Sequence, residues 1–445
     1  MRGRGLRRRT AWWSALLLPG LCALVTLPGT PAAAAGGDEP YAFAPGARTV
    51  AGGDATADAG RLEAGRVYRS SLPGDGRLYY RLRLTAADTA YVPVTAVPPA
   101  NATVASTDGI SVTVQDAHGT RCSYADARLG AGLSPRPVTA LGQRETGHSM
   151  CRGGGTYYVT VQRLGTGGAA SAGPWDLEIA PATEPRPARA GATTAPETWD
   201  SATPEPLDGT PAQRTGGAGF ASARPLGQGV WRTELTPGET RFYKVPLDWG
   251  RQLAASAELG DAAGHGYVGG ALTLSLHNPV RGLVEDTVLG YTGTRKPAVL
   301  APVPPVEYAN RYAVPAAVTS VRFAGDYYLV LHLSEQLTGT FGRGPFPVTL
   351  RVRVAGHAHA GPEYAGRPVP VDLFTVTDED RAAALTGSGG GSGGPTGTGG
   401  GGDPVMKLVA AGGIGLGTLL LLVLGAWTLA ARRPQTRASA QKPTA

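Results

Sequence analysis

The feature that most constrains this chain is an eighteen-residue pattern that occurs twice, 163 positions apart. The first copy, VYRSSLPGDGRLYYRLRL, begins at Val67, and the second, VWRTELTPGETRFYKVPL, begins at Val230. The two copies align without a gap. Each has Pro and Gly between two runs of alternating apolar residues, which is typical of two strands joined by a turn.

Three later patterns repeat in the same order. They are the alternations at 110–114 and 272–276, the Gly-x-Tyr-Tyr strand entries at 155–158 and 325–328, and the alternations at 175–179 and 346–350. Because solenoid and propeller repeats are about 20–50 residues long, a period of this length indicates duplication of a whole β-domain. The sequence therefore predicts an all-β protein with two tandem domains.

Both ends of the chain have features of a membrane protein. Residues 1–35 have a basic start, an apolar centre and small residues before Ala35, as a secretory signal peptide does. The 24 uncharged residues of 408–431 are enough to cross about 30 Å of hydrocarbon as a helix. Arg432 and Arg433 follow, and the tail has no acid. The positive-inside rule thus predicts a single-pass cell-membrane protein with an extracellular N-terminal ectodomain and a cytoplasmic C-terminus.

The predicted segments follow from these patterns and from composition. They are a signal peptide (1–35), a first β-sandwich (60–183), a Pro/Ala/Thr-rich linker (184–222), a second β-sandwich (223–356), a membrane-proximal segment (357–384), a Gly/Ser linker (385–404), a transmembrane helix (405–431) and a basic cytoplasmic tail (432–445). Gly413 and Gly417 are spaced for close helix approach, so a homodimer through them is one hypothesis. Glycine is also frequent in single spans, which leaves a lone helix as the alternative.

The net charge of +7 comes from the two ends of the chain. Residues 1–37 and residues 404–445 each contribute five positive charges, so the ectodomain between them has a net charge of about −3. A nucleic-acid-binding protein would show a basic patch in its folded part. Nucleic acid is therefore not predicted as a partner.

Cys122 and Cys151 are the two cysteines that remain once the predicted signal peptide, with Cys22, is removed. In an oxidising compartment an even pair predicts a disulfide, which would close a loop in the first β-domain. His118 and His148 lie at spacings that could instead complete a Cys₂His₂ metal site. The Gly-, Pro- and Arg-rich segment between the cysteines favours the disulfide.

Other candidate metal ligands are sparse. His357, His359 and Glu363 could hold a metal, but no further ligand is close in sequence, which favours a solvated loop. Asp75, Asp108 and Asp116 lie at turns, where a carboxylate usually bonds to the local backbone. No cofactor is predicted, and calcium binding at these turns stays open.

The aromatic-led strand after a Pro-Gly turn, together with the later Gly-x-Tyr-Tyr entry, resembles the bacterial pre-peptidase C-terminal (PPC) domain. The resemblance covers a little over half of the chain and implies that each domain is a small jelly-roll-like β-sandwich. The stretch 241–250 also looks like the membrane-anchored ectodomains that accompany von Willebrand A domains in actinobacterial surface proteins. The D-x-S-x-S motif of the A domain itself does not occur in the sequence.

Four aromatic pairs lie in the predicted strands, where one residue of each pair faces the core and the other faces outward. The predicted surface aromatics are Tyr80, Tyr158, Tyr243 and Tyr328. Exposed tyrosines on a sheet could bind glycan or protein. The alternative is that they only cover the edge of the sandwich.

Neither H-E-x-x-H nor G-x-S-x-G occurs, so the sequence has no recognised catalytic motif. The leading hypothesis is a non-enzymatic, membrane-anchored extracellular module that presents two β-sandwiches to an envelope protein or a cell-wall glycan. The alternative is an accessory subunit of a membrane or secretion complex. An exported hydrolase with a site assembled across the two repeats is the weakest of the three hypotheses.

Overall fold

The computed structural model describes residues 41–147, 150–165 and 173–386. Within these ranges, no helix combines the length and apolar character needed to span a bilayer. The predicted signal peptide, the predicted transmembrane helix with Gly413 and Gly417, and the cytoplasmic tail lie outside the described residues.

The first domain is a β-sandwich of two sheets. Its strands are β1 (Arg48–Thr49), β2 (Gly60–Leu62), β3 (Tyr68–Leu72), β4 (Arg77–Leu84), β5 (Thr89–Val97), β6 (Gly109–Asp116), β7 (Arg121–Arg128), β8 (Val138–Arg144), β9 (Gly155–Leu164), β10 (Trp175–Ile179) and β11 (Ala182–Glu184). One sheet has the order β1-β3-β10-β5-β11, with β8 also paired to β5, and the other has the order β2-β4-β9-β6-β7.

The second domain repeats this topology. Its strands are β12 (Ala212–Gln213), β13 (Arg224–Pro225), β14 (Gly229–Leu235), β15 (Thr240–Leu247), β16 (Arg251–Leu259), β17 (Val268–His277), β18 (Leu283–Tyr291), β19 (Lys296–Val299), β20 (Gly325–Leu333) and β21 (Phe346–Gly356). Its sheets have the orders β12-β14-β21-β16-β19 and β13-β15-β20-β17-β18. Apart from β11, each strand of the first domain has a counterpart in the same place, so the repeated sequence encodes one topology twice.

Helices are few in the described ranges. They are α1 (Ala316–Thr319), α2 (Leu337–Phe341) and α3 (Asp378–Thr386), with short 3-10 turns at Gly130–Gly132, Phe220–Ser222 and Tyr308–Tyr312.

Period-two alternation builds the core of each sandwich. In β4, the residues Leu78, Tyr80, Leu82 and Leu84 are buried, while arginines occupy exposed positions between them. Because successive side chains of a strand point to opposite faces, this pattern supplies one apolar face to the core. The two largest buried clusters lie one inside each sandwich, and two smaller clusters contain residues of both domains. Two cores were expected from the duplicated pattern.

The two sandwiches also pack against each other, which the sequence did not indicate. Strand β5 is buried along its whole length, because its inner residues fill the first core and its outer residues face the second domain. Strand β17 is buried in the same two-sided way from Gly270 to His277. Tyr91 on β5 contacts Phe323 of the second domain edge to face, with ring centroids 5.2 Å apart.

The segment predicted as a linker, 184–222, lies against the second sandwich. The backbone oxygen of Asp200 accepts a hydrogen bond from Gln252, and that of Glu205 accepts one from Arg353, each at 2.8 Å. Residues 203–207 and strands β16 and β21 enclose a cavity of about 130 Å³. This part of the chain is therefore a packed connection.

The C-terminal strap, which we define as residues 363–386, crosses from one sandwich to the other. Val369 pairs with Thr183 at the end of the first sandwich through two backbone hydrogen bonds of 2.8 and 3.0 Å. Phe374 stacks on Phe323 of the second sandwich at 5.0 Å. Near the end of α3, the oxygen of Ala384 accepts the backbone N–H of Gly227 at 2.9 Å. The strap thus bonds to both domains.

Candidate functional site

Two of the four predicted surface aromatics are core residues, so that part of the prediction is wrong. Tyr80 is 0% exposed and donates its hydroxyl hydrogen to Ser70 at 2.8 Å, and burial raises its pKa to about 12. Tyr243 is 1% exposed and donates to the backbone oxygen of Arg214 at 3.1 Å. The reason is register: Tyr80 has the parity of Leu78 and Leu82, so it points inward with them.

Tyr158 and Tyr328 have the outward parity and are half-buried. Tyr328 is not on an open surface, because Phe220 packs against it edge to face with centroids 5.0 Å apart. Its sheet face belongs to the contact between the sandwiches. The four tyrosines therefore do not form one aromatic binding face.

Cys122 and Cys151 form the predicted disulfide, with Cα atoms 5.7 Å apart. Fully buried Arg144 supports its loop, donating to the backbone oxygens of Cys151, Arg152 and Gly153 at 2.7–2.9 Å. Tyr157 also donates to the Cys151 oxygen, at 2.9 Å. The metal alternative fails for these cysteines, since both sulfurs are used in the disulfide.

The remaining metal candidates that the structure describes are not brought together, and His148 lies outside the described residues. In the part of the chain that the structure describes, no group of three or more His, Cys, Asp or Glu side chains is placed to hold a metal ion. His359 instead pairs with Glu307 at 2.7 Å, and that hydrogen bond raises its pKa. Asp108 and Asp116 accept local backbone N–H groups at 2.8–2.9 Å, as turn carboxylates do.

In the described ranges, three ion pairs join the sandwiches. They are Glu178–Arg281 at 2.5 Å, Glu184–Arg311 at 2.8 Å and Glu145–Arg322 at 2.8 Å. In addition, Glu178 accepts hydrogen bonds from the Tyr41 hydroxyl (2.9 Å) and the Ala44 backbone (2.7 Å). Glu184 accepts from the hydroxyls of Tyr91 (2.8 Å) and Tyr364 (3.0 Å). Buried carboxylates require such partners, because an unpaired charge away from water is very costly.

A Ser–His–Thr chain also crosses this contact. Hydrogen bonds join His332 Nε2 to Ser134 Oγ at 3.0 Å and His332 Nδ1 to Thr240 Oγ1 at 2.9 Å. Its geometry resembles a nucleophile–base pair, but burial lowers the His332 pKa to about 3, far below the value near 7 that suits a general base. Ser134 is 1% exposed and also accepts the Glu335 backbone N–H at 3.1 Å. These hydrogen bonds thus form a structural bridge between the sandwiches, in which the Ser134 hydroxyl is buried.

A polar cleft remains beside these contacts. A cavity of about 310 Å³ lies between strands β7 and β8 of the first sandwich and β17 and β18 of the second. Its polar lining residues are Asp126, Arg128, Arg136, Thr139, Thr273, Ser275, His277 and Asp286. Burial lowers the pKa of His277 to about 4, so this imidazole is neutral at pH 7.

A second cavity, of about 250 Å³, adjoins the first and shares Arg136 and Pro137 with it. The turn 236–240, the Pro-Gly turn of the second repeat, lines this cavity together with Glu335. The duplicated motif therefore contributes a wall of the composite cleft. We call the two cavities together the interdomain cleft.

Arg136 is the half-buried side chain common to both cavities. Its Nη2 donates to the backbone oxygens of Arg128 (3.3 Å) and Leu129 (3.2 Å). Burial lowers its pKa, and the nearby charge of Asp286 partly offsets that effect. Nothing in the sequence marked Arg136, because it follows Pro135 in a loop without a recognisable motif.

No protein-family model matches this sequence, and no curated protein matches it. Similar solved structures include the CUB1-EGF-CUB2 domain of human MASP-1/3, at 9% identity over 64% of this chain and 99% of that chain, with a TM-score of 0.16. The tandem CBM22 domains of Paenibacillus barcinonensis Xyn10C match at 14% identity over 67% of this chain and 86% of that chain, with a TM-score of 0.18.

Proposed function

We propose that this chain is a non-catalytic extracellular binding module, anchored by the predicted helix 405–431, that engages a glycan of the cell envelope. The observation that supports this proposal is the interdomain cleft. Its walls come from both sandwiches, and it combines hydroxyl, carboxylate and guanidinium groups. Such a lining suits a ligand rich in hydroxyl groups, since each of its groups can donate or accept hydrogen bonds.

The interface supports the idea that the two sandwiches act together. Three buried or partly buried ion pairs and the strap contacts hold them in register. A cleft whose walls belong to two domains keeps its shape only if the domains keep their relative position. The charged contacts fix that relative position, because ion pairs and hydrogen bonds are directional whereas apolar contacts are not.

A catalytic function is less well supported by the same interdomain contact. The strongest catalytic candidate in the described ranges is the Ser134–His332 pair, in which the hydroxyl is buried and the imidazole is a poor base. Neither residue lines the cleft cavities. A hydrolase would need a substrate atom within reach of the nucleophile.

The proposed location on the outer face of the cell membrane rests on sequence features and on the disulfide. The basic, apolar leader at 1–35 and the apolar stretch 405–431 with its basic tail favour export with retention. The Cys122–Cys151 disulfide is consistent with an oxidising compartment.

Retention on isolated cell-wall polysaccharide tests the proposal. Full-length protein in detergent is mixed with cell wall stripped of protein, and the bound fraction is measured with and without soluble wall fragments. We expect saturable retention that soluble fragments compete away. Absence of saturable retention contradicts the glycan partner. Co-purification with membrane proteins that depends on residues 405–431 would favour the accessory-subunit hypothesis instead.

A further inference from the structure

Arg136 differs from the other arginines that lie between the sandwiches. Arg281, Arg311 and Arg322 each pair with a carboxylate of the opposite domain at 2.5–2.8 Å. Within the described residues, Arg136 has no ion-pair partner and bonds through Nη2 to two backbone oxygens. The remaining N–H groups of its guanidinium have no hydrogen-bond partner among those residues, at a position where two cavities meet.

This position favours an anionic ligand group. A guanidinium that is partly removed from water loses hydrogen bonds to water. A carboxylate can replace them with two parallel hydrogen bonds. Burial lowers the Arg136 pKa, and the nearby charge of Asp286 offsets that effect only in part. A ligand carboxylate would play the part that Glu178, Glu184 and Glu145 play for the other arginines.

The other residues of the cleft disfavour a ligand whose only polar group is an anion. Asp286 lines the same cavity as Asp126, which pairs with Arg128 at 3.1 Å, and Glu239 and Glu335 line the second cavity. These carboxylates repel any further negative charge on a ligand. The same carboxylates accept hydrogen bonds from ligand hydroxyls, and Thr139, Thr273 and Ser275 can donate or accept them. A volume of about 310 Å³ is at the small end of the ~300–1,000 Å³ typical of small-molecule sites. The cleft therefore suits a compact ligand with one carboxylate and several hydroxyls.

We infer that the interdomain cleft binds a sugar acid, with its carboxylate on Arg136 and its hydroxyls on the Asp, Ser and Thr side chains of the walls. The inference rests on the proposed glycan-binding function and specifies the acidic sugar unit that the chain recognises.

Calorimetric titration of the full-length protein with sodium D-glucuronate tests the inference, with D-glucose and sodium propionate as controls for the hydroxyls and the carboxylate. We expect glucuronate to bind at least tenfold more tightly than either control. Arg136→Gln should weaken glucuronate binding at least tenfold, while Arg61→Gln, on an exposed side chain of the first sandwich, should leave it unchanged. Thr273→Val removes one wall hydroxyl at nearly constant volume and should weaken binding severalfold, which keeps the test decisive if Arg136→Gln does not fold.

Two results would overturn the inference: glucuronate binding no tighter than that of glucose or propionate, or full-strength binding by a folded Arg136→Gln variant. The wall-retention assay separates this failure from failure of the proposed function. Retention on cell wall without glucuronate binding leaves the function standing and rejects this site. Glucuronate binding that Arg136→Gln abolishes, without retention on cell wall, supports the site and rejects the cell-wall partner.

Discussion

Glu178 of the first sandwich and Arg281 of the second form an ion pair of 2.5 Å in which the carboxylate side chain is 0% exposed. Arg281 adopts a φ of +59°, which is uncommon for a residue other than glycine, in the turn between β17 and β18. A left-handed residue has some conformational cost, so surrounding contacts must maintain it. Here those contacts are a backbone hydrogen bond from Arg281 to Asn278 at 2.7 Å within the turn and the side-chain pair with Glu178 of the opposite domain.

Glu178→Ala should destabilise the protein by about 3–5 kcal/mol, because it leaves the Arg281 guanidinium buried without its counter-charge. Urea unfolding followed by tryptophan fluorescence measures the effect. Glu63→Ala is the matched control: its pair with Arg61, at 3.5 Å, is largely exposed, so the expected loss is below about 1 kcal/mol. Equal effects of the two substitutions would show that the interdomain pair has no special role.

Acid should weaken the contact through its two buried histidines. The pKa of His277 is lowered from 6.5 to about 4 and that of His332 to about 3, so the unfolded chain takes up these protons at higher pH than the folded one. The contribution of these two histidines to the free energy of unfolding is therefore fully present above about pH 6.5. It is lost as the pH falls toward 4 for His277 and toward 3 for His332, by at most about 1.4 kcal/mol per histidine and pH unit. Urea midpoints at pH 7, 6, 5 and 4 measure the slope.

His332→Asn should make that slope shallower, because asparagine does not titrate in this range. His118→Asn, at an exposed turn, should leave the slope unchanged. The explanation fails if wild type and His332→Asn lose stability in parallel between pH 6.5 and 4.

Replacing both Cys122 and Cys151 by serine should lower stability by roughly 3–4 kcal/mol, the chain-entropy value for a loop closed across 29 positions. Reduction of the wild type by dithiothreitol should have a similar effect. The same reagent applied to the double variant is the control and should change nothing. A wild type that is insensitive to reduction would contradict the assignment.

Phe374→Ala should release the strap from the contact between the sandwiches. Phe374 is 4% exposed and stacks on Phe323 at 5.0 Å, so its removal should cost about 3–5 kcal/mol of local stability. Hydrogen exchange of residues 363–376 is the measurement, and we expect faster exchange there than in either core. Val371→Ala is the control because Val371 is 52% exposed, and it should leave exchange nearly unchanged.

The sequence allowed good prediction of what depends on local periodicity. Alternation in β4 and β15, and the turn between each of them and the preceding strand, predicted the strands of both copies. The same alternation predicts that Tyr80 points inward, because Tyr80 shares parity with Leu78 and Leu82. The second residue of an aromatic pair faces outward only where its parity differs from that of the buried apolar residues, as in Tyr328 but not in Tyr80.

The contact between the domains could not be predicted in the same way. Strand β5, TAYVPVTAV, has no charged residue and is largely apolar on both faces, which is the pattern of a strand buried on both sides. That pattern reveals burial without identifying what covers the second face. Glu178 alternates with apolar neighbours as an ordinary outward residue would, and its partner Arg281 lies 103 positions away. The interdomain cleft depends on the angle between two bodies, for which one sequence contains no direct signal.

The strap has a mechanical consequence. The chain bonds to Thr183 of the first sandwich, then packs on Phe323 of the second and finally bonds to Gly227, before it continues past Thr386. A force applied to the chain beyond that point would reach Gly227 first, and the first sandwich only after α3 and Phe374 had come away. Tension on the chain beyond Thr386 would thus be resisted in stages, with the Val369–Thr183 pairing the last of these contacts to be loaded.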